Sequence, residues 1–281
     1  MAKFLTIDIG ATGVHVSGGV QVVGLPSLTA IDGFVHAIER EFDLPVAGWS
    51  MGFRHCEEIT GHGRMVNYEF RHKDKKEGSP YIRDKRTATV RGFLVLYTDD
   101  LSSSQEALDA LNERVEALRF CGGTLILGSH GVQRWNSLAD ALQMISFSCR
   151  DPHFFMEDKS GLLMQRPKEL SPMDWLLDLA AKPSYQDGEA AYAHGLGWQG
   201  FLTPVIRGYS LLETPRHRDF LRGDNLHAYA EPVIGLVRMR SLASVMFHLD
   251  DSSDDNPEIF WFGSFQGEAV DEWSLSTFFV C

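Results

Sequence analysis

Between Arg64 and Arg91 the chain carries nine lysines and arginines against four acidic residues. The cations are Arg64, Arg71, Lys73, Lys75, Lys76, Arg83, Lys85, Arg86 and Arg91, with His72 among them. Tyr68, Phe70 and Tyr81 are interleaved with these charges. Cations at this density can follow a phosphodiester backbone, and aromatic rings can stack on unpaired bases, a combination suited to single-stranded RNA. The far end of the chain has the opposite sign. From Ser241 to Cys281 there are eight acidic residues and no Lys or Arg. The formal net charge is -12, which argues against general nucleic-acid binding and confines any such role to a local patch.

Other chemistry is weaker. Ile7 to Gly13 (IDIGATG) has the look of a phosphate loop from actin-like sugar kinases, an Asp after a strand followed by glycines. The second Asp-Gly-Gly loop that such folds need is missing. His15, His36, His55, His62, His72, His130 and His217 lie among polar groups, where a metal-independent ribonuclease would place a general base. Each also reads as a structural histidine, and no H-E-x-x-H, G-x-S-x-G or P-loop spacing occurs. Cys56, Cys121, Cys149 and Cys281 are scattered without C-x-x-C pairs. They read as reduced thiols, and the spacing asks for no metal or other cofactor.

Several elements must position the basic stretch. Lys3 to Gly10 alternates apolar and polar residues as a strand does. A glycine- and valine-rich passage to Gly24 reads as an irregular or bulged strand or hairpin. From Gly24 to Asp43, Pro26 and Ser27 break and cap the chain, and Ile31, Phe34, Val35 and Ile38 form one helical stripe. Val46 to Ile59 reads as a further strand. Residues 64–97 read as a hairpin whose arms are Met65–Arg71 and Thr87–Tyr97, with a polar finger between them. A second helix starts at Ser103, with Glu106 at capping-box spacing, carries Leu108, Leu111, Val115 and Leu118, and ends at Gly122 and Gly123. Thr124–Leu127 reads as a short buried strand. Helices are expected from Trp135 to Phe147 and from Pro172 to Lys182, and strands at Ile259–Phe262 and Ser274–Val280.

The order strand, helix, two or three strands, helix, strand predicts an α+β fold of the ferredoxin-like or RNA-recognition-motif kind, with helices on one face. Residues 1–130 would form that domain with its hairpin, and 131–281 a helical and β extension completing it. No apolar run is long enough to span a membrane, and the N-terminus lacks a signal peptide's apolar core, so a cytoplasmic protein without membrane contact is expected.

Taken in order, the pieces resemble the Cas-five subunit, or second Csy protein, of type I-F CRISPR Cascade surveillance complexes, in a compact form. Pro26-Ser27 followed by Gly33-Phe34-Val35-His36-Ala37-Ile38 is similar to its first-helix signature. Val66 to Lys76 and Arg86 to Tyr97 resemble its thumb-like hairpin, and Leu118 to Leu125 its Gly-Gly turn. Gly197-Trp198, Pro204 and Gly208-Tyr209 resemble a later passage. The resemblance implies a modified RNA-recognition (RAMP) fold with a protruding thumb. It implies a non-catalytic subunit that caps the crRNA 5′ handle and joins a Cas-eight-type large subunit to the first Cas-seven-type backbone subunit, near the PAM of the target DNA. RNA contacts are then expected from Arg64, Tyr68, Arg71, His72, Lys73, Lys75, Lys76, Arg83, Lys85, Arg86 and Arg91. Gly122, Gly123, Arg134 and Trp135 complete the expected set, the glycines by letting the backbone of RNA come close. A repeat-cleaving endoribonuclease of the same fold, with His36 as its test residue, and a sugar kinase using Asp8 are the rivals.

Overall fold

A computed structural model of the chain describes residues 3–16, 24–59, 86–98, 105–148, 151–180, 202–218, 227–251, 259–261, 263–266 and 277–280. The first strand, β1 (Phe4–His15), buries Leu5, Ile7, Ile9 and Ala11 on one face, as the alternation predicts. Helix α1 (Leu28–Phe42) lays Leu28, Ile31, Phe34, Val35 and Ile38 on that face. Ser27 caps it, its hydroxyl accepting the Ala30 N–H at 3.2 Å, and Asp43 ends it in the left-handed conformation. Strands β2 (Gly48–Glu58) and β3 (Thr87–Tyr97) follow. Next come α2 (Gln105–Arg114), a 3-10 turn at Val115–Ala117, the short β4 (Arg119–Phe120) and the long β5 (Gly123–Trp135). Leu108, Leu111 and Val115 join α1 over the same face.

These strands lie side by side in the order β4, β5, β1, β3, β2, every pairing antiparallel. The second half of the chain extends the sheet beyond β2 through β6 (Phe154–Asp158), β8 (Ala230–Ser241), β7 (Leu202–Leu211), β10 (Thr277–Val280) and β9 (Gly263–Gln266). The sheet is therefore continuous across both halves, and a boundary at residue 130 falls inside β5. Helix α1 touches β4 at one side of the sheet and β7 and β10 at the other, while sharing a core with β1, so the sheet curls around it.

Helices cover both faces, not one. On the side away from α1, α3 (Leu138–Ser148) and α5 (Leu242–Asp251) pack Leu142, Ile145, Leu242 and Val245 against Phe93, Val95 and Phe155. The sequence of β3 explains this. Its run from Phe93 to Leu96 is wholly buried, which a strand shows when both faces are covered. A third cluster joins α4 (Pro172–Ala180) to β7 and β8 through Trp175, Leu179, Leu202 and Leu236.

Two readings from the sequence are corrected. Strand Thr87–Tyr97 is paired along both edges, with β1 and with β2, so it is the middle of the sheet and not one arm of a projecting hairpin. The basic stretch instead joins β2 to β3. Gly122 and Gly123 do not cap α2, because β4 intervenes. No helix among the described residues is long and apolar enough to cross a membrane.

Candidate nucleic-acid interface

One end of the sheet gathers most of the described candidates. Strand β1 finishes there at His15, β2 finishes at Glu58, β3 starts at Thr87 beside Arg86, and α1 begins at Leu28. The two ends of the basic segment, 60–85, therefore leave the sheet side by side. The Val16 N–H donates to the Arg86 carbonyl at 3.1 Å, tying the exit of that segment to the end of β1.

The turn between β4 and β5 lies at the same end. Cys121 and Gly122 both have positive φ, 46° and 82°, the signature of a two-residue hairpin turn whose twist suits the flanking strands. The His15 N–H donates to the Cys121 carbonyl at 3.1 Å. The two glycines do different work. Gly123 is buried, and a Cβ on it would lie 2.7 Å from the Thr12 carbonyl oxygen, so it lets β5 close on β1 and is not open to a ligand. Gly122 is exposed, and a Cβ there would meet the His15 ring at 3.4 Å. Beside this turn a cleft of about 370 Å³ opens between α1, Arg119, His15 and Tyr209 of β7.

Arg91 is exposed, opposite Gly10 and His55. It stands on the half of the sheet face that α3 and α5 leave open, with Thr12, Thr124 and Ile126 also exposed nearby. His55 is held there by Glu57 at 3.2 Å. Arg134 and Trp135 lie at the other end of the sheet, where they pair with Leu5 and Phe4. Phe4 and Thr12 are eight strand steps apart along β1, roughly 26 Å at strand rise. The Trp135 indole donates to the Thr6 hydroxyl at 3.0 Å, which makes it a strand-facing structural ring. Arg64, Tyr68, Arg71, His72, Lys73, Lys75, Lys76, Arg83 and Lys85 lie outside the described residues.

The residues named for the two rival chemistries, Asp8 and His36, are both among the described residues. Asp8 is 3% exposed under a bulge in β5, and one of its oxygens accepts the His130 N–H at 3.2 Å. A Cβ on Gly128 would overlap the Asp8 carboxylate, so the β5 backbone packs directly against it. His36 faces solvent on α1 between Asp32, at 3.3 Å, and Glu39, and does not line the cleft. Burial pushes the Asp32 carboxyl above its usual range, against the pull of the Trp49 indole donating at 2.8 Å and of His36. Among the described residues no three His, Cys, Asp or Glu side chains gather as a metal-binding group.

Three residues of this end are missing from the RNA contacts expected from sequence. Arg119 and Tyr209 lie within stretches that carried the family resemblance, and His15 was one histidine among several. Only the fold brings them together, across separations of about 90 residues and more. No protein-family model matches the chain, and no curated protein matches it significantly.

Proposed function

We propose that the chain is a non-catalytic RNA-binding subunit of a type I-F CRISPR surveillance complex, which holds the 5′ handle of the crRNA in the cytoplasm. One observation carries the reading most. The strand order β5-β1-β3-β2, with α1 after β1 and α2 after β3, matches the order expected of a ferredoxin-like sheet, and the flanks of the basic segment lie at the same end of the sheet as the exposed Gly122 turn. In a modified RNA-recognition fold of this kind, the segment 60–85 would supply the thumb. Its cations would track the phosphates, and its tyrosines would stack on unpaired bases. Helices α3 and α5 cover part of the face that carries Arg91, so RNA would be held on the part around Arg91 and at the adjoining end of the sheet.

A Cas-eight-type large subunit and the first Cas-seven-type backbone subunit are the protein partners in this reading, and target DNA approaches near the PAM only within the assembly. Filter binding of repeat-derived handle RNA to the purified chain tests the core of it. Handle RNA should bind intact and salt-sensitively, and should bind more tightly than duplex DNA of equal length. Cleavage of the repeat by the chain alone would overturn the non-catalytic reading, and equal affinity for duplex DNA would overturn handle recognition.

A further inference from the structure

The cleft beside the Gly122 turn has a chemistry of its own. Its volume, about 370 Å³, lies at the lower end of the range of small-ligand sites, about 300–1,000 Å³. That is room for one mononucleotide-sized group and not for a duplex. Ala30, Gly33 and Ala37 present the small side of α1 as its floor. Tyr209 of β7, 39% exposed, adds an aromatic ring to the lining. Arg119 is exposed at the mouth, and no described side chain pairs with its guanidinium. His15 lines the cleft as well, beside Gly122 of the turn. Among the described residues the lining holds no Asp or Glu, although the chain as a whole is strongly acidic. An aromatic ring, small residues of α1 and a cation together fit a ligand that joins an aromatic ring to a phosphate.

We propose that this cleft seats one unstacked nucleotide of the bound single strand, its base against Tyr209 and its phosphate at Arg119. The inference rests on the RNA-binding reading above, and it adds a second contact point distinct from the basic segment. The cleft adjoins the strand end where that segment rejoins the sheet at Arg86, so one RNA strand can engage both.

The test uses the full chain and a pool of short random-sequence single-stranded RNAs carrying 5-iodouridine, which cross-links to stacked aromatic rings on irradiation. The expected result is a cross-link at Tyr209. Tyr209→Leu should abolish it and weaken binding about tenfold, the loss expected for one base stack. Tyr209→Phe should retain both, and Arg119→Gln should weaken binding without moving the cross-link. Circular dichroism confirms that each variant is folded. If RNA binds but cross-links only elsewhere, and Tyr209→Leu and Arg119→Gln bind as the wild type does, the nucleotide cleft is overturned and the RNA-binding reading stands. If the wild-type chain binds no RNA, both fall.

Discussion

At the scale of single residues, the fold uses polar groups in places where each must be satisfied or neutral. His153 is 2% exposed, against the ring of Phe93 at 5.6 Å between centroids. Burial, and next the charge of Arg54, hold its pKa below the ordinary value, so it is neutral in the folded chain. When the chain unfolds, the imidazole regains its usual affinity for a proton. Stability from this site is therefore complete above a pH of about 6.5 and is lost as pH falls from there toward the depressed folded value. Urea midpoints measured on both sides of that window should drop for the wild type and drop less for His153→Gln. Equal drops would remove His153 as the source. Gly122 makes a different demand. Its φ of 82° is strained for any residue with a Cβ, so Gly122→Ala should cost at least about 1 kcal/mol in denaturant unfolding. The new methyl would only touch the His15 ring, at 3.4 Å, so the strained turn is what should shift and weaken handle RNA binding, whereas a variant as stable and as tight as the wild type would show that the turn tolerates the Cβ.

At the scale of elements, legibility followed how local each cause was. Helix α1 was readable because its cap, its stripe and its end all lie within one short stretch. The Ser171-Pro172 start of α4 was readable for the same reason, since Ser171 accepts the Asp174 N–H at 3.1 Å. Strand β5 was read far too short. Its pattern is interrupted by Gly128 to Gly131, a bulge stabilised by Asp8 from a strand more than a hundred residues away. Its outer edge is sealed from much nearer in the chain, by the end of α2 and the turn after it. Glu116 accepts the Leu127 N–H at 2.6 Å and Asn112 accepts the Val132 N–H at 3.1 Å, which blocks pairing with another chain. The placement of Thr87–Tyr97 as a hairpin arm failed because neighbours in sequence were taken as neighbours in the sheet. The basic segment can be tested as an element despite this. Reversing Lys73, Lys75 and Lys76 to Glu should weaken handle binding on the order of 100-fold at physiological salt, and should flatten the dependence of log K on log salt by about 2 for a single strand. An unchanged slope would place the phosphate contacts elsewhere.

At the scale of the whole molecule, the second half of the chain was least legible, because what holds it is contact with the first. Trp261 forms an isolated bridge with Trp49 of β2, each backbone N–H donating to the other's carbonyl at 2.8–2.9 Å. The two indoles are buried and stacked at 6.2 Å. Each is also anchored through its ring N–H, Trp49 to Asp32 of α1 and Trp261 to the Met156 carbonyl of β6. A single pair of tryptophans thus ties α1, β2, β6 and the C-terminal region into one core, and the continuous sheet does the same through β2 and β6. Neither tryptophan sits in a pattern that announces the other. If the coupling is as direct as this geometry implies, damage at Trp261 must be felt in the N-terminal strands. Trp261→Ala should cost about 3–5 kcal/mol, the range for truncating a large buried aromatic side chain. Native-state hydrogen exchange should then quicken at the amides of β1 and β3 as well as β6 and β8. Faster exchange confined to β6 and β8, with β1 and β3 as protected as before, would show two separately folding halves that merely share a sheet edge.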